Sequence, residues 1–273
     1  MKYLIFKIWN KIKLFLWTYS QPLTKSPTNK NSSVSDLFVW RASKDIETFF
    51  ELIDIPSLFL DYEHKNHVTL VVFDSNGNEL LSDKIELIPN RRSKINISEI
   101  IKEKSMLVGS ASNFGTFAIF HSIIPSVFND TGSFISECGY VSYSYKNALN
   151  TYVHGNLEAI ALLEDDSYEL LCVPSFLQRK FNLQFELKDS ALYELGLVNP
   201  TNKMQSVVCS YLSLENGRVV KRQEVDICPK GSFVFDISVQ KGSSIKVVIK
   251  SKLVMARPLI FRKIDDNLDV IHG

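Results

Sequence analysis

The 273-residue sequence is poor in the residues that mark special architectures. It has only 11 glycines, 9 prolines and 4 cysteines, while 45% of its residues are hydrophobic and 22% are charged. Collagen-like and low-complexity chains need far more glycine and proline, and disordered chains contain fewer hydrophobic residues. The composition therefore indicates a globular protein, and the length allows one large domain or two small ones.

The sequence also lacks the motifs of the common enzyme classes. It contains no G-x-S-x-G nucleophile elbow, no Walker A loop, no G-x-G-x-x-G fingerprint and no H-E-x-x-H zinc motif. These motifs place a nucleophile, a phosphate or a metal ion at a defined point of a fold. We assign no catalytic or cofactor-binding residue, and we expect a protein that is not an enzyme and needs no cofactor.

Metal-binding patterns are equally scarce. The four cysteines show neither C-x-x-C spacing nor the spacing of a zinc finger: Cys138, Cys172, Cys209 and Cys228. Buried free thiols are the prediction for all four. His64 and His67, with Asp61 and Glu63 beside them, form an H-x-x-H pattern in an irregular connection that has no helix to aim both imidazoles at one point. We interpret it as a solvated loop, and we predict no metal site.

Positive charge is concentrated at the amino terminus. Residues 1–35 contain six lysines and no acidic residue, which leaves 25 basic against 30 acidic residues in the rest of the chain. A nucleic-acid-binding protein usually carries a basic stripe on its folded body. We therefore expect no nucleic-acid partner, and the basic amino terminus needs another explanation.

Residues 1–19 have the pattern of a basic amphipathic helix. At 100° per residue, the apolar side chains of this segment share one arc that contains no charge. The apolar runs are too short for a spanning helix or a cleavable signal peptide, whereas lysine on one face and large apolar residues on the other are typical of a helix in a lipid interface. The predicted contacts with an anionic membrane surface are Lys2, Leu4, Ile5, Lys7, Ile8, Trp9, Lys11, Ile12, Lys13, Phe15 and Leu16.

Two other roles remain open for this helix. Its apolar arc could pack on the chain's own body or on a protein partner, or the segment could be an uncleaved signal anchor. Residues 20–36 are rich in serine, threonine and asparagine and contain two prolines, which predicts a flexible linker. We expect a membrane-associated protein, on the cytoplasmic face.

From residue 37 onward the hydrophobic pattern has mostly period two, which favours strands. The residues 67–74 and 79 onward, joined by Ser-Asn-Gly-Asn, predict a hairpin, because Asn-Gly supplies the positive φ angles of a tight turn. Residues 159–173 predict a second hairpin around an acidic turn at 164–167. The best helical window is 97–104, so the body is predicted to be all-β.

The second half of the body repeats motifs of the first half in the same order. At an offset of 140 the two Asn-Gly turns align, and so do the prolines that follow them: Asn76-Gly77 with Asn216-Gly217, and Pro89 with Pro229. At an offset of 118 the segment YVHG at 152–155 aligns with VIHG at 270–273, and ELIDIPS at 51–57 with ELLCVPS at 169–175. Two repeated units follow, over residues 37–155 and 156–273.

Units of this size with many short strands are best closed as β-sandwiches. The predicted fold class is all-β, with two tandem, internally duplicated β-sandwich domains preceded by an N-terminal amphipathic helix. Each unit runs from a strand through an Asn-Gly hairpin to a proline-initiated strand ending in [ND]-I-S, and then to an apolar strand. Over about 60 residues this order resembles the small sandwich domain of the sensory-rhodopsin-transducer type, which implies a sandwich but no functional residue.

The repeated histidines are the first candidate site. His154 and His272 both precede the final glycine of their unit. They could belong to a ligand or metal site, or they could hydrogen-bond a neighbouring strand end while the glycine adopts a backbone conformation closed to other residues. The structural role is the one that we favour.

Tyrosines and carboxylates supply two further candidates. Tyr143 and Tyr145 share one face of a predicted strand, with Tyr140 and Tyr152 nearby, and could form a platform for a sugar ring, although core packing is favoured. At an offset of 118, Tyr143 aligns with Phe261. Two acidic clusters, at 164–166 and 265–266, could serve glycosidase chemistry but are interpreted as solvated turns.

The function that we expect is that of a non-enzymatic binding or scaffold protein. Its N-terminal helix would hold it at an anionic membrane surface or a protein partner, and its sandwiches would bind a glycan or a protein. The alternatives are a carbohydrate-active enzyme on the same fold and a structural subunit of an envelope or virion assembly.

Overall fold

The computed structural model of the protein describes residues 23–28, 32–54, 66–89, 91–108, 113–122, 135–136, 139–146, 148–155, 158–253 and 258–272. In its first half the elements are β1 (Leu23–Thr24), β2 (Ser33–Ser35), β3 (Phe38–Arg41), β4 (Ile46–Ile53), β5 (His67–Asp74), β6 (Glu79–Glu86), β7 (Arg92–Asn96), α1 (Ile97–Val108), β8 (Phe114–His121), β9 (Ile135–Ser136), β10 (Gly139–Tyr145) and β11 (Thr151–His154). In its second half they are β12 (Ile160–Leu162), β13 (Tyr168–Leu170), β14 (Cys172–Val173), β15 (Arg179–Lys188), β16 (Leu192–Val198), β17 (Gln205–Ser213), β18 (Val219–Ile227), β19 (Ser232–Ile237), β20 (Ser244–Ser251), β21 (Leu259–Ile264) and β22 (Asn267–His272). The predicted all-β fold class is confirmed.

Two four-stranded antiparallel sheets form sandwich 1. Sheet A1 has the strand order β3-β8-β5-β6, and sheet B1 has the order β11-β10-β4-β7. The sheets enclose one apolar core, in which Phe38 and Phe117 of A1 pack against Phe50 of B1 with ring centroids 5.0 and 5.8 Å from the Phe50 ring. Alternate residues of each strand supply this core, as the period-two pattern requires.

Sandwich 2 repeats the same topology. Sheet A2 has the order β15-β20-β17-β18 and sheet B2 the order β22-β21-β16-β19, so every strand occupies the place of its counterpart in sandwich 1. Both Asn-Gly turns join the third and fourth strands, and each follows a register shift in the hairpin, at Val72/Phe73 and at Tyr211/Leu212. The two units are a duplication.

One of the aligned pairs from the sequence is wrong. Residues 51–53 end β4, a strand of sheet B1, whereas residues 169–173 lie in β13 and β14, outside both sandwiches. The counterpart of β4 is β16, so the match between ELIDIPS and ELLCVPS arises from a shared apolar pattern and not from equivalent positions. The helical window at 97–104 is confirmed as α1, whose first turn is capped by the Asn96 side chain accepting from the amide of Glu99 at 3.1 Å.

A third layer of strands covers the outer face of sheet A1. A small sheet with the order β13-β12-β2-β9 lies over this face and packs against Phe73, Ala118 and Phe120. Its hairpin β12–β13 is the one predicted around residues 164–167. Sheet A1 is thus buried on both sides, which explains why each of its central strands has four consecutive apolar, fully buried residues, 70–73 in β5 and 117–120 in β8.

The described part of residues 20–36 is not the flexible linker that the composition predicts. The strand β1 pairs with β14, and β2 pairs with β12 through Val34, which is fully buried. The Ser35 hydroxyl accepts from the buried amide of Ile119 at 3.0 Å. Serine suits this layer because its short polar side chain satisfies backbone groups inside the protein.

The connection between the sandwiches also differs from the predicted division at residue 156. Strands β12, β13 and β14 belong to the small sheets over sandwich 1, and the strands of sandwich 2 begin at Arg179. The predicted helix at residues 1–19 lies outside the described residues, so the lipid contacts proposed for it stay predictions.

The two sandwiches share one apolar interface. The outer face of sheet B2 packs against the edge of sandwich 1, where Leu259, Phe261, Leu268 and Val270 join the core of sandwich 1. Phe261 is fully buried, and its ring centroid lies 5.0 Å from that of Tyr143. Burial of this apolar area makes the interface part of the folding core.

A buried ion-pair cluster fixes the same interface. The Glu194 carboxylate of β16 accepts from Arg41 of β3 at 2.5 Å and from Lys263 of β21 at 2.6 Å. Burial alone would raise the pKa of Glu194, but the charge of Arg41 and the hydrogen bond and charge of Lys263 outweigh it and lower the pKa. The carboxylate therefore stays ionised and joins the sandwiches.

Candidate functional site

The outer face of sheet B1 is the candidate site. Side chains that alternate with the core residues of β4, β7, β10 and β11 point outward here. Backbone pairing sets four of these residues side by side in one row across the sheet: His154, Tyr140, Glu51 and Lys94. Such a face collects polar and aromatic groups on a rigid support, because each strand is held by its neighbours.

Glu51 is the centre of this face. Its side chain is 5% exposed, and its carboxylate accepts the Tyr152 hydroxyl at 3.0 Å. Arg92 Nη1 lies 3.1 Å from Oε2, and Lys94 Nζ lies 3.9 Å from Oε1. A buried carboxylate needs partners of this kind to compensate its lost hydration, so Tyr152 and Arg92 hold Glu51 directly and the charge of Lys94 adds to them at a longer distance.

Two exposed tyrosines lie beside Glu51, both on the strands to the same side of β4, which are β10 and β11. Tyr140 is 53% and Tyr152 48% exposed, although neighbouring positions on the same strands are buried. Together with Leu52, Ile53, Glu51 and Arg92 they line a cleft of about 400 Å³. That volume lies within the usual range of small-ligand sites, which combine apolar walls with a few fixed polar groups.

The charge of the cleft is set by one acid and two bases. Arg92 and Lys94 neutralise Glu51 and leave one positive charge at the rim, where Lys94 also lies over the Phe49 ring at 4.1 Å. Burial, followed by the hydrogen bond to Glu51 and the charge of Glu51, raises the pKa of Tyr152. The Tyr152 hydroxyl is therefore a hydrogen-bond donor and not a base.

The repeated histidines meet at the junction of the sandwiches. Nε2 of His272 lies 3.1 Å from the backbone oxygen of His154, at the end of β11, and the two imidazole centroids are 5.9 Å apart. Nδ1 of His154 lies 3.2 Å from the Gly155 oxygen. Of the two roles considered for these histidines, this contact with a strand end matches the structural one. A narrow crevice of about 40 Å³ beside them has room for little more than a water molecule.

The glycine after His154 is needed for a reason other than the expected one. Its φ angle is not in the positive region; instead, a Cβ atom at Gly155 would lie 2.7 Å from Asp36 Oδ2 and 2.9 Å from the Phe38 ring. Close approach of the strand to the segment before β3 therefore excludes a side chain. The aligned Gly273 lies outside the described residues.

Core packing, the role favoured for Tyr143, is confirmed, and the exposed tyrosine of β10 is Tyr140. Tyr143 points into the core, is fully buried and donates its hydroxyl to the Val39 oxygen at 2.7 Å. Its sequence alignment with Phe261 is one residue off, because the pairing with β11 and β22 makes Tyr140 equivalent to Leu259. A shift of one residue moves a side chain to the opposite face of a strand.

The other sequence candidates do not gather into a site. The acidic cluster at 164–166 is a hairpin turn in which the Ser167 side chain and amide lower the pKa of Asp165. Lys146 pairs with Asp266 across the surface at 2.7 Å. His64, Asp61 and Glu63 lie outside the described residues, and the part of the chain that is described contains no group of three metal-ligating side chains.

Three cysteines are free thiols, and the fourth, Cys138, lies outside the described residues. Burial raises the pKa of Cys172 to about 12 and that of Cys209 to about 11. Such thiols are unreactive at neutral pH. Among the described ranges no helix combines the length and apolarity needed to cross a bilayer, and the cytoplasmic membrane location stays a prediction.

Glu51, Arg92 and Ile53 were not identified from the sequence. The available signal was weak: the strand IETFFELI carries two acids at outward positions, Glu47 and Glu51, and nothing local distinguishes the second from the first. The partners of Glu51 come from β7, about 40 residues later, and from β11, about 100 residues later. That pairing is a property of the sheet order and cannot be read from local pattern.

No family model matches the chain, and no curated protein matches it. Solved structures with some likeness include the M60 catalytic domain with two CBM51 domains of Clostridium perfringens ZmpB, at 11% identity over 85% of this chain and 33% of that one, with a TM-score of 0.18. A calcium-binding mutant of Bacteroides uniformis β-glucuronidase 2 matches at 10% identity over 93% and 31%, with a TM-score of 0.20. Infectious bursal disease virus, Gx strain, matches at 10% identity over 84% and 54%, with a TM-score of 0.17.

The chain spans about a third of the first of these structures, and the TM-scores are too low to transfer a fold or a function. None of the three is a sensory-rhodopsin-transducer domain, so that resemblance stays a prediction. The function has to be argued from the site itself.

Proposed function

We propose that the chain is a non-enzymatic glycan-binding protein and that its ligand lies in the cleft of sheet B1. The observation that carries the proposal is the pair of half-exposed tyrosines beside an almost fully buried, ion-paired Glu51. Sugar rings present apolar CH faces and polar hydroxyl edges. Tyrosine rings offer the matching apolar surface, and Glu51 and Arg92 offer an acceptor and a donor for hydroxyl groups.

Binding suits this cleft better than hydrolysis. Most glycosidases need two carboxyl groups, about 5 to 10 Å apart, on either side of the scissile bond. Among the described residues that line the cleft, Glu51 is the only carboxylate. It is also held by Tyr152 and Arg92, which suits a fixed hydrogen-bond acceptor.

A glycan array followed by calorimetry with a bound oligosaccharide tests the proposal. Replacing Tyr140 with alanine removes one wall of the cleft, and we expect affinity to fall about tenfold or more, as for other central aromatic anchors. The matched control is Phe185→Ala, an aromatic residue with an exposed ring on sandwich 2. Binding of no glycan, or equal loss from both variants, would contradict the assignment.

Attachment to a membrane is the second part of the proposed function. The observation that favours it is the lysine-rich apolar pattern of residues 2–19. Anionic lipid headgroups attract each lysine near the surface by about 1 kcal/mol, in addition to apolar insertion. We expect the full chain to sediment with anionic liposomes, more weakly at high salt, and deletion of residues 1–20 to weaken this binding. Salt-insensitive binding would argue against it.

A further inference from the structure

One end of sandwich 2 combines exposed apolar side chains with positive charge. The loop between β14 and β15 exposes Phe176 by 77% and Leu177 by 48%, and the turn before β17 exposes Met204 by 61%. Both segments lie at the same end, because Arg179 and Val207, which follow them, both pair with Ser251. Large apolar residues grouped at loop tips mark an interaction surface.

Four exposed lysines surround these tips: Lys180, Lys203, Lys250 and Lys252. Lys180 and Lys250 are direct cross-strand partners, an arrangement of like charges that destabilises a sheet. Lys252 adjoins the apolar loop, since its backbone oxygen accepts from the Ser175 amide at 2.8 Å. The seven residues are called the basal surface below.

Charge is distributed unevenly between the two ends of sandwich 2. The described connecting residues that are exposed at the basal end belong to 174–178, 199–204 and 252–253, and these contain no aspartate or glutamate, whereas the connection 228–231 at the same end packs against sandwich 1. The connections at the opposite end, residues 189–191, 214–218, 238–243 and 265–266, contain four acidic residues against two basic ones. A surface that couples loop-tip apolar groups with one sign of charge matches the anionic interface of a bilayer.

The amino-terminal segment joins the body next to this surface. Leu23 of β1 pairs with Val173 of β14, and Val173 is 41% exposed three residues before Phe176. The first described residue, Leu23, therefore lies close to the basal surface. Only residues 20–22 separate residues 2–19 from β1 in the sequence, so a bilayer that held residues 2–19 would be within reach of the basal lysines.

We infer that the basal surface is a second membrane contact, which docks on an anionic bilayer with Phe176, Leu177 and Met204 in the interface and the lysines over the headgroups. The inference rests on the proposed membrane attachment of residues 2–19, and it adds an orientation. With its basal end against the lipid, sandwich 2 has a fixed orientation relative to the bilayer. Attachment through residues 2–19 alone would not fix that orientation.

The test uses the full chain with vesicles of phosphatidylcholine that contain about 30% phosphatidylserine. We expect Lys180→Glu with Lys250→Glu to weaken vesicle binding about tenfold or more, since four units of charge change near the surface. Phe176→Ser with Leu177→Ser is expected to weaken it by about the same factor. The conservative pair Lys180→Arg with Lys250→Arg should bind like the original chain.

Matched controls lie at the opposite end of sandwich 2. Lys188→Glu with Lys241→Glu makes the same charge change, and Leu192→Ser removes an apolar side chain that is 68% exposed. Both should bind within about twofold of the unmodified protein, a difference of less than 0.5 kcal/mol. Circular dichroism of every variant verifies the fold.

Each outcome decides the question. If the test variants bind as well as the controls, the inference is overturned. If deletion of residues 1–20 also abolishes binding, the amino-terminal segment is the membrane contact and the basal surface is not. If the chain without residues 1–20 still binds vesicles, and the lysine substitutions remove that remaining binding, the basal surface is supported and attachment through the amino-terminal segment is contradicted. If only the lysine variants lose vesicle binding, and they lose binding to soluble heparin to the same extent, the ligand is an acidic polymer and not a bilayer. That result would overturn the inference.

Discussion

The two sandwiches have the same strand order but bury opposite sheets. In sandwich 1 the small sheet covers A1, where Phe73 and Phe120 are fully buried, and B1 carries the exposed cleft. In sandwich 2 the outer face of B2 is buried against sandwich 1, and A2 exposes charged residues such as Lys250 and Arg222. The duplicated sandwiches are equivalent in strand order, but each one exposes a different sheet. A different surface is therefore available for binding in each sandwich.

One cross-strand row shows how far the faces have diverged. In sandwich 1 the row is His154, Tyr140, Glu51 and Lys94. The same row of sandwich 2 is His272, Leu259, Gly196 and Val234. The histidine is kept, whereas the cleft residues are replaced by apolar side chains and a glycine, because this face packs on another domain.

The largest expected effect comes from a substitution in the buried outer face of sheet B2. Phe261→Ala removes a fully buried ring from the shared core, and we expect the free energy of unfolding to fall by about 3–5 kcal/mol. Tyr140→Ala changes an aromatic residue on the corresponding exposed face and should lower it by less than about 1 kcal/mol. Urea denaturation measures both. Equal losses of unfolding free energy would contradict the conclusion that the outer face of B2 is buried and that of B1 is exposed.

The interface charge comes next. Glu194→Gln leaves Arg41 and Lys263 without their carboxylate, and we expect a loss of about 3 kcal/mol. Glu224→Gln, on the exposed face of A2, is the matched control and should change the unfolding free energy by less than about 0.5 kcal/mol. A loss of similar size in the control would show that burial at the interface is not the cause.

The Glu194 contribution also has a definite pH dependence. Because the folded-state pKa lies below the ordinary value of 4.5, the ionised carboxylate stabilises the fold fully above that value. The contribution is lost as the pH falls through the folded-state pKa. The difference in urea midpoint between the original chain and Glu194→Gln should therefore be constant near neutral pH and shrink below about pH 4.5. A difference that grows on acidification would contradict the sign.

The smallest effect distinguishes the two Asn-Gly turns. Both glycines have positive φ, +82° at Gly77 and +68° at Gly217, so alanine at either site should destabilise by about 1 kcal/mol. A Cβ atom at Gly77 would also lie 2.0 Å from the Pro229 oxygen of sandwich 2, whereas the space at Gly217 is open. We expect Gly77→Ala to lower the unfolding free energy by about 2–3 kcal/mol. Thermal unfolding of both variants measures this, and equal shifts would show that the first turn is not held by sandwich 2.

Local pattern predicted much of this fold. The period-two segments, the Asn-Gly hairpins and α1 follow from residues close in sequence, and the repeated motifs identified the duplication. The small sheets were not predicted, because Ser33–Ser35 becomes a strand only when Ile160–Leu162 pairs with it. Short polar segments have weak strand preference of their own, and tertiary contacts decide their structure.

The candidate site was predicted only in part. Tyr140 and Tyr152 were noted only as neighbours of Tyr143, for which the favoured core packing is confirmed, and their own exposure was not predicted. Alternation places residues on two faces but does not say which face is buried. Glu51 became identifiable only when its partners Arg92 and Tyr152 were brought to it by the sheet.

The pairing of β2 with β12 has a consequence for synthesis of the protein. Ser35 and Ile160 are partners across 125 residues, so the amino-terminal strand emerges from the ribosome long before its partner. Until residues 160–170 follow, Phe73 and Phe120 have no cover, and the nascent chain exposes an apolar sheet of the kind that aggregates or recruits chaperones. The covering of sheet A1 therefore waits for residues 160–170, and a chain that stalls before residue 160 leaves this apolar face exposed to solvent.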